Sequence, residues 1–381
     1  MKVKLSTKTF VKELDKVNLA IDAMVPLPAL KSIKMTVDED SITLLSSNTD
    51  ITIQSVYESD DLEVFETGEA LVPALIFSNI IKKLNGENIT VTMEGTVLTV
   101  KGKKSKYQVN TIRVDDYPNI DISNDGTAFD IDSKLLSSIL GETSYAVSKS
   151  EIKPILTGVN LVYSKANKRL ITAATDGYRL AKIKTDITSD GGDFNIIIPE
   201  KAVKKVLKII KNLDDDKNFK MTVSLKKVSI QTRNILIIFR LVDGSYPDTN
   251  RLVPNSFNTM VEVDKGSLIE SIKRVSLIAN DQNENYVKIT LKNNTLILET
   301  RTLEVGNAQD FISDVKVSGK EKEFEETFSV RFILDALANI SSDGTVHLYR
   351  VGALKPYVFN APEKKGIHLI LPVRHIKNVF I

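Results

Sequence analysis

Through most of the chain apolar and polar positions alternate in runs of four to eight residues, the period of half-buried antiparallel strands. Met1-Lys2-Val3-Lys4-Leu5-Ser6 opens the chain this way, followed by Ile33 to Val37, Ile42 to Leu45, Ile51 to Val56 and Leu62 to Phe65, each bounded by Asp, Asn, Ser or Gly. Ile89 to Met93, Val97 to Lys101 and Tyr107 to Ile112 follow, and Gly102-Lys103-Lys104-Ser105 reads as a hairpin turn. Two stretches depart to the helical period. Phe10, Val11, Leu14 and Val17 recur at that spacing between Ser6 and Ile21 behind a Ser/Thr cap, and Pro73 starts a second run to Leu84 that Asn85-Gly86 stops.

The order strand, helix, strands, helix, strands then recurs. A strand at Ala128 to Ile131 and a helix from Asp132 to Val147 precede strands near 157–164, 168–175, 178–185 and 194–198. A helix from Pro199 to Leu213 and three strands to Val242 complete the second copy. The third copy is the most diverged, with helices Asp264 to Ala279 and Ser329 to Ile340 and a last apolar strand at Leu369 to Val373. Local signals keep a near-constant offset: Thr49-Asp50 and Thr175-Asp176 lie 175 − 49 = 126 residues apart, and Pro73 and Pro199 also 199 − 73 = 126. Tyr117-Pro118 and Tyr246-Pro247 are 246 − 117 = 129 apart. A repeat of this size predicts three domains, 1–124, 125–253 and 254–381, each an α+β domain with two helices packed on antiparallel sheet. The joints, Ser123-Asn124-Asp125-Gly126 and Pro254-Asn255-Ser256, are short enough for neighbouring copies to pack rigidly.

Composition adds exclusions. With 42% hydrophobic and 26% charged residues the chain is of the ordinary globular class. The absence of Cys removes disulfides, thiolate chemistry and Cys-ligated zinc, and fits a reducing cytoplasm. The N-terminus lacks the apolar segment of a signal peptide, and no run approaches the ~18 apolar residues of a membrane span. A soluble, cytoplasmic chain with no membrane partner is expected. Net charge is only +2, so the distribution of the 51 Lys and Arg matters more than their sum.

Catalytic constellations are missing. His347, His368 and His375 lack metal-ligand spacing, there is no Gly-x-Gly-x-x-Gly or Walker loop, and Asp214-Asp215-Asp216 lacks the Gly and Glu of a calcium loop and reads as a solvated loop. No cofactor or metal is called for. The basic residues, in contrast, are organised. Lys201, Lys204, Lys205, Lys208 and Lys211 share one face of the Pro199 helix, roughly 200° from a stripe of Val203, Val206, Leu207, Ile210 and Leu213. Lys8, Lys12 and Lys16 repeat the arrangement on the first helix, with Lys82-Lys83 and Lys273-Arg274 on two others. Each could be an ordinary solvated face; their recurrence without interleaved aromatics suits sequence-independent contact with duplex phosphates. In Thr175-Asp176-Gly177-Tyr178-Arg179-Leu180-Ala181, Asp176 and Arg179 read either as an acid and an anion clamp or as a tight turn followed by an outward Arg.

That stretch, with Leu241-Val242-Asp243-Gly244-Ser245-Tyr246-Pro247-Asp248 and Leu371-Pro372-Val373-Arg374, closely resembles the bacterial β sliding clamps, the processivity subunits of DNA polymerase III, over essentially the whole chain. The resemblance implies the DNA clamp fold, two chains closing head to tail into a homodimer ring with domain 1 meeting domain 3, and duplex DNA passing through it. It implies a tether that raises effective concentration and no catalysis. Implied partners are double-stranded DNA, the replicative polymerase catalytic subunit, the clamp loader, and repair polymerases, mismatch-repair proteins and ligase through short peptides, with the protein associated with the nucleoid. Carried over by position, the peptide pocket would comprise Leu156, Thr175, Gly177, Tyr178, Arg179, Leu180, Pro247, Arg251, Leu252, Leu354, Pro356, Leu369, Ile370, Leu371, Pro372, Val373 and Arg374. Tyr178 stands where His is frequent, Met24 and Leu75 where relatives often carry Arg, and the chain runs on from His375 to Ile381. Two other classes stay in view: an enzyme using Asp176, Tyr178 and Arg179, and a protein-binding repeat scaffold with a basic DNA-binding face but no topological ring.

Overall fold

The computed structural model describes residues 1–84, 86–213, 218–278, 285–302, 305–342, 344–362 and 366–373; Asn85, Asp214-Asp215-Asp216, Ala279, Arg374 and the residues from His375 lie outside them. The first repeat runs β1 (Lys2–Ser6), α1 (Thr7–Val17), β2 (Ser32–Val37), β3 (Ile42–Ser47), β4 (Ile51–Tyr57), β5 (Glu63–Glu66), β6 (Gly68–Pro73), α2 (Ala74–Lys83), β7 (Asn88–Glu94), β8 (Val97–Lys101) and β9 (Lys106–Asn110). The second runs β10 (Thr127–Asp132), α3 (Ser133–Ser144), β11 (Gly158–Ser164), β12 (Arg169–Thr175), β13 (Arg179–Asp186), β14 (Phe194–Pro199), α4 (Glu200–Lys211), β15 (Asn218–Val223), β16 (Lys227–Gln231) and β17 (Ile235–Arg240). The third runs β18 (Thr259–Asp264), α5 (Lys265–Val275), β19 (Tyr286–Lys292), β20 (Thr295–Thr302), β21 (Gly306–Ile312), β22 (Lys316–Gly319), β23 (Phe324–Ser329), α6 (Val330–Asn339), β24 (Thr345–Arg350), β25 (Tyr357–Asn360) and β26 (Gly366–Ile370).

Several boundaries differ from the sequence reading, three of them at prolines or beside one. Pro73 and Pro199 are the last residues of strands, opposite Ser32 and Gly158, and stand immediately before the helices, with Pro73 as the N-cap of α2. Both β6 and β14 stand at the end of their sheets, where a missing N–H costs no ladder bond. The last strand stops at Ile370, three residues before the expected Val373. Pro372 cannot donate to a ladder, and the Val373 N–H turns away to the carbonyl of Thr327 at 2.8 Å.

The chain gathers into two compact units, Met1–Lys134 with Ser189–Gly192 and Lys204–Leu241, and Leu135–Thr188 with Asp193–Val203 and Val242–Ile381. The first holds a five-stranded sheet, β5-β1-β7-β8-β9, and an eight-stranded sheet, β10-β15-β16-β17-β4-β3-β2-β6. The second holds a nine-stranded sheet, β14-β11-β12-β13-β26-β25-β24-β18-β22, and a four-stranded sheet, β21-β20-β19-β23. In both long sheets the last strand of one repeat pairs antiparallel with the third strand after the first helix of the repeat before it: β17 on β4, with Ile237 opposite Ile53, and β26 on β13, with Leu369 opposite Leu180.

Each unit buries helices on sheet. In the first, Phe10 of α1 meets Tyr57 edge-on at 5.3 Å and Phe77 of α2 at 6.3 Å. Full burial of such a side chain contributes roughly 1.5–3 kcal/mol. In the second, Leu268, Ile272 and Val275 of α5 and Ile333, Ala336 and Leu337 of α6 share a core with Phe328 and Tyr357, whose rings meet edge-on at 4.9 Å. The Asp264 carboxylate caps α5, accepting the Ser267 N–H at 2.6 Å.

Candidate partner pocket and nucleic-acid face

The turn between β12 and β13 is built by side chains bonding to nearby backbone. Asp176 Oδ1 accepts the N–H groups of Tyr178 and Arg179 at 2.9 and 3.0 Å, and Thr175 Oγ1 donates to the Arg179 carbonyl at 2.6 Å. Gly177 takes φ +94°, a conformation costly for residues with a Cβ. The first repeat makes the same turn between β3 and β4, where Asn48 Oδ1 accepts from Asp50 and Ile51 at 3.1 and 2.8 Å and Thr49 takes φ +79°. The equivalent acceptors are Asn48 and Asp176, an offset of 176 − 48 = 128 residues. The Thr-Asp identity at 126 is therefore displaced by two from the structural correspondence.

The Thr175 N–H donates to Tyr246 Oη at 2.9 Å, and Tyr246 packs with Leu156 and Ile197. Burial pushes the Tyr246 hydroxyl well above the ordinary phenol range, so it stays protonated. On β13 and β26 the period-two alternation sorts the expected pocket residues. Leu180 and Leu369 lie opposite each other and join Ala173, Val358 and Val253 in one apolar cluster. Arg179 and Ile370 fall on the other face, with Ile370 in the core of the third repeat. The Leu371 N–H extends the ladder to the Tyr178 carbonyl at 2.9 Å. Tyr178, Leu252 and Leu354 expose large apolar surfaces at 66%, 45% and 55%. Arg251 is exposed and held by Asp248 at 3.3 Å. Pro247 is exposed, and Pro356, Pro372 and Val373 are half-buried.

Arg179 does not point outward. It is 4% exposed, with Nε on Asp176 at 3.0 Å, Nη1 on Asp335 at 2.6 Å and Nη2 on the Tyr145 carbonyl at 2.8 Å. Its guanidinium lies 4.5 Å from the centre of the Phe332 ring and 5.3 Å from that of Tyr145. Tyr145 Oη in turn meets Nδ1 of buried His368 at 2.8 Å, and burial pulls that imidazole down to about 4, leaving it neutral. Asp176 and Arg179 thus satisfy each other and the turn, which leaves neither placed as a free acid or anion clamp.

The basic helices divide. On α4, Lys201, Lys204, Lys208 and Lys211 are exposed opposite buried Ala202, Val203, Val206 and Ile209. Leu207, Ile210 and Leu213, expected in the buried stripe, are only half-buried. Lys205 is partly covered and faces Asp22 at 3.8 Å. Lys8, Lys12 and Lys83 are exposed on α1 and α2. Lys16 is drawn down onto Glu13 at 2.8 Å with 11% of its side chain exposed, and Lys82 pairs with Asp15 at 2.6 Å. Lys273 is matched by Glu270 at 2.9 Å and Arg274 by Asp310 at 2.7 Å. Lys16, Lys82, Lys273 and Arg274 thus have acidic partners; those of Lys16 and Lys273 lie three residues away on the same helix, whereas those of Lys82 and Arg274 lie on other elements, beyond helix-by-helix reading. Met24 and Leu75 are 96% and 73% exposed.

Sequence profiles of the DNA polymerase III beta subunit match residues 1–121 (N-terminal domain), 130–248 (central domain) and 250–374 (C-terminal domain). The beta sliding clamp of Bacillus subtilis is 30% identical over 385 residues, spanning 98% of this chain and 100% of its own. That of Staphylococcus epidermidis is 30% identical over 372 residues, 96% and 97% of the two chains. The chain belongs to the DNA polymerase III beta subunit family, the bacterial sliding clamps. Crystal structures of the sliding clamp from Bacillus subtilis (29% identity, 98% and 99% covered) and of the beta subunit from Streptococcus pyogenes (28%, 98% and 100%) superpose with TM-scores of 0.90 and 0.91. It is a three-domain sliding clamp, a non-catalytic processivity subunit in DNA replication. No helix among the described residues is long and apolar enough to cross a membrane.

Two contacts beside the expected pocket residues were not visible in the sequence. Tyr246 was legible as the close of a repeat and as part of a family motif, but not as the hydroxyl that joins that segment to Thr175. Lys182, a lysine on the Leu180 face of a strand, breaks the alternation of β13 and is buried at 1% exposure.

Proposed function

We propose that two copies of this clamp close head to tail into a ring around duplex DNA and tether the replicative polymerase to it. The observation that carries the reading is the strand-pairing rule between repeats. The last strand of the second repeat pairs with β4 and the last strand of the third with β13. By the same rule the last strand of the first repeat, β9, lacks its counterpart, and so does β21, the third strand after the first helix of the third repeat; each ends its sheet. β9 of one chain meeting β21 of the next would join a five-stranded and a four-stranded sheet and leave neither edge open. Exposed Tyr107 on β9 and Phe311 on β21 supply apolar surface there. This arrangement brings domain 1 (1–124) of one chain to domain 3 (254–381) of the other, with domain 2 (125–253) between.

Lys201, Lys204 and Lys208 of α4, with Lys8, Lys12 and Lys83, would hold passing phosphates weakly and without sequence preference, as sliding requires. The apolar cluster around Leu180 and Leu369, together with the exposed apolar side chains of Tyr178, Leu252 and Leu354, suits the apolar anchors of a short partner peptide. The polymerase catalytic subunit, clamp loader, repair polymerases, mismatch-repair proteins and ligase would share it, at the nucleoid. The deciding experiment loads the protein on nicked circular DNA and then cuts the circle once. Retention on the circle and loss from the linear form is expected; equal retention on both would mean direct affinity and favour the scaffold with a basic face.

A further inference from the structure

Lys182 stands two residues beyond Leu180 on β13 and therefore on the same sheet face, between Ala173 and Ile367 of the adjoining strands. Leucine or valine would fill such a position without desolvating a charge. The lysine is instead 1% exposed, and its Nζ donates to Asn250 Oδ1 at 2.8 Å. Asn250 lies in the short helical turn Thr249–Leu252, which Asp248 caps by accepting the Asn250 N–H at 3.0 Å and its Nδ2–H at 3.1 Å. Asp248 also holds Arg251 at 3.3 Å. A continuous chain of polar contacts thus runs from the strand under the apolar cluster to the residues expected to rim it.

We propose that Lys182 is a positioning residue of the partner slot: by holding Asn250 it sets the Thr249–Leu252 turn, and with it Arg251 and Leu252, in the arrangement that receives an apolar-anchored peptide. The inference rests on the peptide-slot reading of this face. The other charges facing the ammonium are Lys184 on its own strand and Asp248 on the turn, while its cross-strand neighbours are apolar. Burial, helped by Lys184 and opposed by Asp248, pulls Lys182 down to about 8, so its charge-assisted bond to Asn250 weakens just above neutral pH.

The test measures binding of the fluorescein-labelled C-terminal peptide of the cognate replicative polymerase to the full-length clamp by anisotropy. Lys182→Met and Asn250→Ala are each expected to weaken binding about tenfold, mostly through faster release, as for loss of one charge-assisted, partly buried hydrogen bond. The double variant should be no weaker than either single one. Wild-type affinity should fall as pH passes about 8, where Lys182→Met should be flat. Exposed Asn250 can be changed without disturbing the core, which keeps the test valid if Lys182→Met folds poorly. Affinity within twofold of wild type for both single variants, with an unchanged pH profile, overturns the proposal. Leu180→Glu separates the two levels. If it too binds normally, the slot reading fails; if it abolishes binding while Lys182→Met does not, only the role of Lys182 falls.

Discussion

Arg179 shows how much one side chain can organise. It closes the Asp176 turn on itself, reaches Asp335 on α6 and satisfies the Tyr145 carbonyl, all while nearly fully buried. Removing its side chain takes the partner from Oδ2 of Asp176, 14% exposed, which keeps its two backbone donors on Oδ1, and takes the guanidinium from the 39% exposed Asp335. Breaking a fully buried pair costs about 3–5 kcal/mol, and the partial exposure of Asp335 reduces that. Arg179→Met is therefore expected to lower unfolding free energy by ~2–3 kcal/mol in urea titration, and Asp335→Asn by ~1 kcal/mol. Equal losses would mean that Asp335 and not the Asp176 turn carries the stability. Lys182 makes a prediction of opposite character. Its folded value is depressed to about 8 from 10.5, so between those pH values the unfolded chain holds a proton that the folded chain has released. Stability must then rise with pH through that window. Relative to Lys182→Met, the wild-type protein should gain stability from pH 8 towards 10, as followed by urea midpoints; a flat difference would mean the ammonium is not desolvated.

Among the elements, α4 carries its lysines along one face, with Lys205 facing Asp22 at 3.8 Å. Amphipathic spacing put five lysines on one face, and four of them remain exposed. On α1, α2 and α5 similar residues meet Glu13, Asp15, Glu270 and Asp310. Each phosphate contact contributes about 0.9 to the slope of log affinity against log salt. Lys201→Glu with Lys208→Glu should lower the slope of DNA retention by about 2, whereas Lys16→Ala and Lys82→Ala should leave it nearly unchanged. A slope that responds to Lys16 instead would mean that its pairing with Glu13 does not keep it from phosphate.

For the whole molecule the consequential feature is that strand pairing crosses the repeats. Gln108→Pro removes an N–H from β9 and stiffens an edge that the ring would need. Light scattering should report a monomer, and retention on circular DNA should be lost. The partner peptide should still bind, because Leu180, Leu369, Tyr246 and Lys182 all belong to one chain's second compact unit. A dimer that persists would place the interface elsewhere than at β9.

The sequence by itself determined what depends on near neighbours: the threefold repetition, six helices within a few residues of their ends, the Asp-Gly turn and the alternation of each strand. Those features arise from contacts a few residues apart, so local pattern carries them. Resemblance added the family and a set of site residues, of which the structure brings Leu180 and Leu369 onto one face and turns Arg179 and Ile370 to the other. Alternation says that consecutive residues point to opposite faces, but which face meets the core depends on a partner strand nearly two hundred residues away. The same reason hid the acidic partners of Lys82 and Arg274, the Tyr246 contact to Thr175 and the burial of Lys182. The pairing of β17 with β4 and β26 with β13 was likewise decided only by tertiary structure, because hydrogen-bonding edges are alike in every strand and only the folded chain selects which two meet.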